Sequence, residues 1–296
     1  MSPVALAIFA YACWGLVPAY WKQLPGFDSR ELICWRVFLS VVSLLPILAW
    51  RKESSSILAL LRSRRSSVAL LASSLLIGFN WSLYIWAVTN GHIVESSLGY
   101  FLNPLFNMAL GTILLKERLN RLQVAACTLA AVGVALLTWQ AGSLPWISLL
   151  LAVSFGLYGF LRKTMRFPTL PATFLETVAL AVPAGIALCW LSTQGEIHAP
   201  VASLKELLWL SLSGLITTIP LLAFAEAAVA LPLTAMGFLQ FLSPTFQFLL
   251  GVFVYGEPFR PEQWLSFSFI WAGLVLFLFD LALRSGIACR APPSRK

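Results

Sequence analysis

Charge is what this chain has least of. Asp, Glu, Lys and Arg make up 11% of its 296 residues, with 12 acids against 20 bases, where an ordinary soluble domain carries about a quarter charged residues. With 59% of the residues hydrophobic, too little polar surface remains to wrap a soluble core, which excludes a soluble domain. Histidine is nearly absent, at two residues, His92 and His198, both in expected external loops. Five cysteines (Cys13, Cys34, Cys127, Cys189, Cys289) are scattered without a CxxC spacing, so they read as small packing residues. Neither HExxH nor a Cys/His cluster occurs, which argues against a zinc site. No GxxxxGK[ST] is present for ATP hydrolysis and no GxSxG for a serine hydrolase, and no cofactor is expected. Neither a selectivity-filter run nor a ring of charge suggests a channel. The N-terminus also lacks the basic start of a signal peptide, although Val4 to Trp14 is apolar enough for one.

What the chain does have is long apolar runs, with a mean hydropathy of +0.84. Stretches such as Leu144 to Leu161 and Trp264 to Leu283 carry almost no charge over the roughly 20 residues that cross a bilayer. The hydropathy predicts ten spans, at 3–21, 31–50, 67–89, 93–115, 121–139, 144–162, 173–193, 206–227, 234–255 and 262–283. Ten crossings put both termini on one side. Of the 20 Lys and Arg, Arg36 falls inside a span, Lys22, Arg30, Lys205 and Arg260 face one side, and the remaining 15 face the other. Such a bias predicts cytoplasmic termini. The net charge of +8 then belongs to cytoplasmic loops and anionic lipid rather than to a nucleic-acid surface.

The chain also repeats itself. At an offset of 140 residues Phe101 aligns with Phe241, Pro104 with Pro244, Gly111 with Gly251, Glu117 with Glu257 and Gly133 with Gly273. At 141 WGLVPAYWK (Trp14 to Lys22) aligns with FGLYGFLRK (Phe155 to Lys163). Residues 1–140 therefore form a first five-span repeat and 141–283 a second, followed by a basic cytoplasmic tail, 284–296. An odd number of spans per copy makes the two copies enter the membrane from opposite faces. The expected fold is thus an all-α integral membrane protein of two inverted five-helix repeats, a plan of secondary transporters. Inversion also explains why Lys116, Arg118 and Arg121 give way to Gly256, Pro258 and Pro261: extra bases on the external side would oppose the topology. Glu117 and Glu257 persist, and a helix-terminal or loop hydrogen bond is the simplest role for each.

In this plan a solute binds near mid-membrane between the repeats, where helices are broken. Pro104 and Pro244 lie at that depth and each removes a helical hydrogen bond, permitting a bend. Around them Tyr100, Asn103 and Asn107 share one helical face, and Gln240, Ser243 and Gln247 repeat the spacing. These faces must meet protein or water, so they either line a solute path or bond helix to helix. Asn80, Trp81 and Tyr84 add a polar aromatic wall on span three, while its counterpart, Pro220, Leu221 and Phe224, is apolar. An asymmetric site of this kind suits an amphipathic or aromatic solute. Trp14, Tyr11 and Tyr158 either complete the lining or pack.

Charges within spans are expensive. Arg36 and Glu176 are equivalent positions at opposite depths, too far apart to pair. Snorkelling to the nearer interface is the simpler expectation for both, with a gate or a contact to a solute carboxylate as the alternative for Arg36. Glu226 is either a proton site or interfacial, and Asp280 is placed to meet Arg284 one turn on.

These stretches resemble a known family. AYACWGLVPAYWK, ELICWR, GFNWSLYIWAVTNGHIVESSLGYFLNPLFNMALGTILLKERL, SFGLYGFLRK, ITTIPLLAFAEAA and GFLQFLSPTFQFLLGVFVYGEPF resemble EamA-type transporters of the drug/metabolite transporter superfamily, within them the RarD group. The resemblance implies ten spans, inverted repeats, a bacterial inner membrane and efflux or exchange of a small metabolite or drug, with chloramphenicol sensitivity attached to the group's name. The expected partners are a small-molecule solute and the lipid bilayer, with protons as a candidate coupling ion, no nucleic acid, and a monomeric or homodimeric state. The alternative is a membrane scaffold or sensor that moves no solute and packs its polar faces dry.

Overall fold

The computed structural model describes residues 1–89, 93–141, 146–256 and 263–290, with the backbone alone described at 54, 85, 88–89, 93–99, 141, 251, 263 and 284–290. The chain is helical, in the order α1 (Pro3–Trp21), α2 (Ser29–Arg51), α3 (Ser54–Arg62), α4 (Arg64–Thr89), α5 (Ile93–Ile113) and α6 (Arg121–Ala141). The second half follows with α7 (Trp146–Met165), α8 (Thr169–Thr193), α9 (Leu204–Ala230), α10 (Leu233–Gln240), α11 (Leu242–Leu249) and α12 (Gln263–Arg290). Among the described residues nine stretches are long and apolar enough to cross a membrane. The tenth expected crossing is α5, 21 residues long, whose hydropathy is diluted by Ser96, Ser97, Asn103 and Asn107. The basic segment after α2, expected as a loop, contains the nine-residue helix α3.

The two halves pack as exchanged copies. α4 lies on α7 as α9 lies on α1, α5 on α7 as α11 on α1, and α4 on α8 as α9 on α2. α5 with α10, α6 with α12 and α2 with α8 each meet their own counterpart. Every one of these pairs maps onto another, or onto itself, when the repeats are swapped, as a two-fold arrangement requires. Glycines mark where backbones come closest. A Cβ on Gly15 would stand 2.6 Å from that of Phe246, and one on Gly156, its counterpart, would collide with the Phe106 ring, the counterpart of Phe246. Likewise a Cβ on Gly133 would sit 2.6 Å from the Ser266 carbonyl and one on Gly273 2.7 Å from the Ala126 carbonyl. Because those obstacles are backbone and cannot swing away, Gly273→Leu is expected to pry α6 from α12 and cost about 1–3 kcal/mol. A melting temperature unchanged from wild type would refute that contact.

The two proline spans, expected to match, differ in continuity. The ninth span breaks at Phe241, between α10 and α11, and ends in a π turn over Leu250–Val254. Pro244 falls in the first turn of α11, where its missing N–H is least costly. In contrast α5 runs unbroken through Pro104. The break therefore belongs to the second repeat alone.

Candidate functional site

Between the repeats lies a cavity of about 100 Å³, room for several waters by the measure of one probe sphere each. α1 contributes Tyr11, Trp14, Val17 and Trp21, α2 contributes Arg36, and α4 contributes Ile77, Asn80, Trp81 and Tyr84. Tyr100 and Asn103 come from α5, Leu151 and Phe155 from α7, Ile216, Thr217 and Leu221 from α9, and Gln240 and Ser243 flank the α10–α11 break. Each of these helices contributes from its middle or from the half nearest the α1–α2 loop, so the cavity runs from mid-bundle toward that end.

Eight of the ten expected solute-binding residues line it: Trp14, Asn80, Trp81, Tyr84, Tyr100, Asn103, Gln240 and Ser243. The other two do not. Gln247 turns to α1, where its Nε2 donates to the Trp14 carbonyl at 3.2 Å. Tyr158 is fully buried below the cavity, its ring stacked on Phe224 at 6.1 Å. Neither Pro104 nor Pro244, the prolines expected to permit a bend, is among the lining residues. The sequence reading missed Trp21, Phe155 and Thr217, each an ordinary packing residue to hydropathy.

The amides serve two purposes at once. Asn80 donates to the Leu151 carbonyl and the Ser154 hydroxyl, both at 2.9 Å. Asn103, with its amide nitrogen turned toward α7, donates to the Leu151 and Ala152 carbonyls at 3.3 and 3.1 Å. Asn107 Nδ2 donates across the repeats to Gln240 Oε1 at 2.7 Å. Lining and helix-to-helix bonding, posed as alternatives, coexist on one face. Left over are the buried Tyr11 and Ser243 hydroxyls, which have no partner among the described residues, as expected of groups that meet water or solute.

Arg36 corrects an expectation. It does not reach for the interface: its guanidinium lies 4.2 Å above the Trp81 ring and 5.8 Å from that of Trp21, in the cavity wall. The half-buried charge gains cation–π attraction there.

The opposite end of the cavity is sealed. Tyr11, Trp14, Phe155, Tyr158 and Phe224 form a continuous aromatic floor with centroids 5.2–6.1 Å apart. Beneath it Glu176 does not snorkel either. It is buried, accepting from Ser73 Oγ at 2.6 Å, Tyr158 Oη at 3.3 Å and Arg162 Nη1 at 3.3 Å. Arg162, expected at a loop edge, sits buried in α7 and also donates to the Thr169 carbonyl and Thr173 hydroxyl. This network ties α4, α7 and α8 together. No Arg36–Glu176 ion pair forms among the described residues, as their depths require.

Glu117 answers why a repeat keeps its acid. Its carboxylate accepts from the backbone N–H groups of Leu233 and Thr234 at 2.7 and 2.9 Å, and from the Thr234 hydroxyl at 2.8 Å. It thus caps α10, in the other repeat, at the favourable end of its dipole. Glu117→Ala is expected to cost about 1–2 kcal/mol, read as a lower melting temperature, and an unchanged one would rule the cap out. Glu257 lies outside the described residues. Asp280 accepts from Asn120 and Gln123 at 2.7 and 2.9 Å, while the side chain of its expected partner Arg284 is outside them. Glu226 is exposed and stands apart from the cavity.

Comparison with known proteins bears on the whole chain. The model of the EamA-like transporter family matches residues 1–139 and again 144–279. The chain is 42% identical to the Bacillus subtilis protein named uncharacterized transporter YojE, covering 92% of this chain and 91% of that one. It is 39% identical to Escherichia coli K12 protein RarD, covering 94% of each, and 29% identical, again over 94% of each, to a Pseudomonas aeruginosa protein named chloramphenicol-sensitive protein RarD. One solved crystal structure superposes with a TM-score of 0.69 at 18% identity, covering 93% of this chain and 96% of that one, a likeness of fold.

Proposed function

The chain belongs to the EamA-like transporter family, a multi-pass bacterial membrane transporter, and on that premise we propose that it moves a small amphipathic solute, aromatic or amino-acid-like, by alternating access. The observation that carries this reading is the cavity itself. It draws on both repeats, holds amides and hydroxyls among aromatic rings, and is closed at one end by the Tyr158–Phe224 floor and the Glu176 network. With both termini cytoplasmic, as the basic residues favour, the sealed end faces the cytoplasm and the cavity faces outward. Rocking of one repeat against the other about this site would exchange the sealed end. Export is the direction we favour, as exchange or facilitated flow, and no described carboxylate lines the cavity to carry a coupling proton.

Two measurements test it. On a background with the native cysteines replaced, Val17→Cys should react with an impermeant maleimide from outside the cell and Thr164→Cys from the cytoplasm alone; the reverse pattern would invert the topology. Counterflow in proteoliposomes, across a panel of amino acids, nucleosides, phenicol drugs and aromatic acids, should find a solute that the vesicles exchange. A panel that melts unshifted and never exchanges would favour the scaffold reading.

A further inference from the structure

Among its described lining residues the cavity holds a cation without an anion. Arg36 is half-buried in its wall, and among the described residues no ion pair or side-chain hydrogen bond reaches the guanidinium, whose Nε is buried without a partner. No carboxylate lines the cavity among the described residues. An unpaired charge within a span is costly, and stacking on Trp81 and Trp21 offsets the ring face of that cost but leaves the N–H edge unserved. The same chain shows what it does when an internal arginine is structural. Arg162 is given Glu176, a hydroxyl and a carbonyl. The contrast is sharper because Arg36 is the repeat counterpart of Glu176. One member of the pair is saturated by protein at the sealed end, and the other lines the cavity.

We propose that Arg36 receives the carboxylate of an aromatic monoanion whose ring lies among Trp14, Trp81, Tyr84 and Tyr100. The inference rests on the transport reading and names its substrate class. Arg36 is the single cation of the described lining, which matches one negative charge and leaves a phosphate dianion half uncompensated. A zwitterionic amino acid would bring an ammonium for which the described lining has no carboxylate. The planar fork of a guanidinium fits a carboxylate in two parallel bonds, and the edge-to-face Tyr84–Tyr100 pair, with centroids 5.5 Å apart, offers an aromatic wall beside it.

The test uses matched ligands on the purified full chain: 3-phenylpropanoate against 3-phenylpropanamide, indole-3-acetate against indole-3-acetamide, and phenylalanine, by thermal shift and by counterflow. Buffers contain gluconate or chloride. Each carboxylate is expected to bind at least about tenfold tighter than its amide, as a charge-assisted pair requires, and tighter than phenylalanine. Arg36→Gln should erase the difference between acid and amide, and Arg36→Lys should retain it at weaker affinity. If neither variant folds, the ratio in the wild type still decides. Equal binding of acid and amide, or chloride alone stabilising as much as the acids, overturns the inference. Exchange of some other solute while every carboxylate is ignored overturns it too, and leaves the transport reading standing. Selective binding of the acids with no exchange in vesicles does the opposite: the anion site is upheld and the transport reading fails.

Discussion

Arg162→Ala is expected to destabilise the protein by about 3–5 kcal/mol, the cost of stripping one partner from a buried ion pair, and to open the sealed end of the cavity. Arg162 and Glu176 are 4% and 3% exposed, so water cannot take the place of the missing guanidinium. The substitution leaves Glu176 with Ser73 and Tyr158 as donors and its charge without a counterion. Arg162→Ala with Glu176→Gln should recover a substantial part of that loss, because Ser73 and Tyr158 meet different oxygens of Glu176, so the amide oxygen accepts from one hydroxyl and the amide nitrogen donates to the other, while the uncompensated charge is gone. The measurement is a double-mutant cycle on melting temperature, run alongside maleimide access to the sealed end at Thr177→Cys. If the double variant is no more stable than Arg162→Ala, the penalty is not electrostatic and the network is packing alone. If access does not rise in the single variant, the pair is not part of the closure.

How far this was readable beforehand depends on which physical signal a residue leaves in the sequence. Membrane crossing, duplication and inversion are written in long apolar runs, in the 140-residue offset and in the one-sided placement of bases, because those properties are set by chain chemistry before any packing. The polar faces around Asn103 and Gln240 were legible for the same reason: an amide in hydrocarbon has few excuses. Arg162 was not. It follows a glycine and aromatics at the end of an apolar run and is neighboured by Lys163, so local sequence places it in a basic loop edge, and only the approach of Glu176 from α8 and Ser73 from α4 makes burial tolerable. Trp21, Phe155 and Thr217 were missed because a cavity wall and a packed interface draw on the same residue types. The asymmetry of the two proline spans was hidden as well: the prolines are equivalent in sequence, but Pro104 lies inside α5, which packs against both α7 and α10, whereas Pro244 falls in the first turn of a new helix.

Gln240→Ala is expected to cut exchange by about 10-fold to 100-fold while lowering stability modestly, about 1–2 kcal/mol for the lost bond to Asn107. Two roles meet at this side chain. Its Oε1 accepts from Asn107 Nδ2 at 2.7 Å, joining α5 to α10 across the repeats, and the residue also faces the cavity beside the helix break. Asn107 is buried and absent from the cavity lining, with its own Oδ1 unpartnered. It therefore separates the roles: Asn107→Leu deletes the inter-repeat bond and the orphaned oxygen together and leaves the solute-facing wall in place. Lining by Gln240 predicts that Asn107→Leu shifts the melting temperature while solute affinity stays within about threefold, whereas Gln240→Ala loses both. The bond between repeats, if it is the whole of Gln240's contribution, predicts that the two substitutions weaken exchange equally and that neither alters which solute binds. Solute titrations on both variants, read beside their melting temperatures, decide between these outcomes because a helix bond and a solute contact respond differently to ligand concentration.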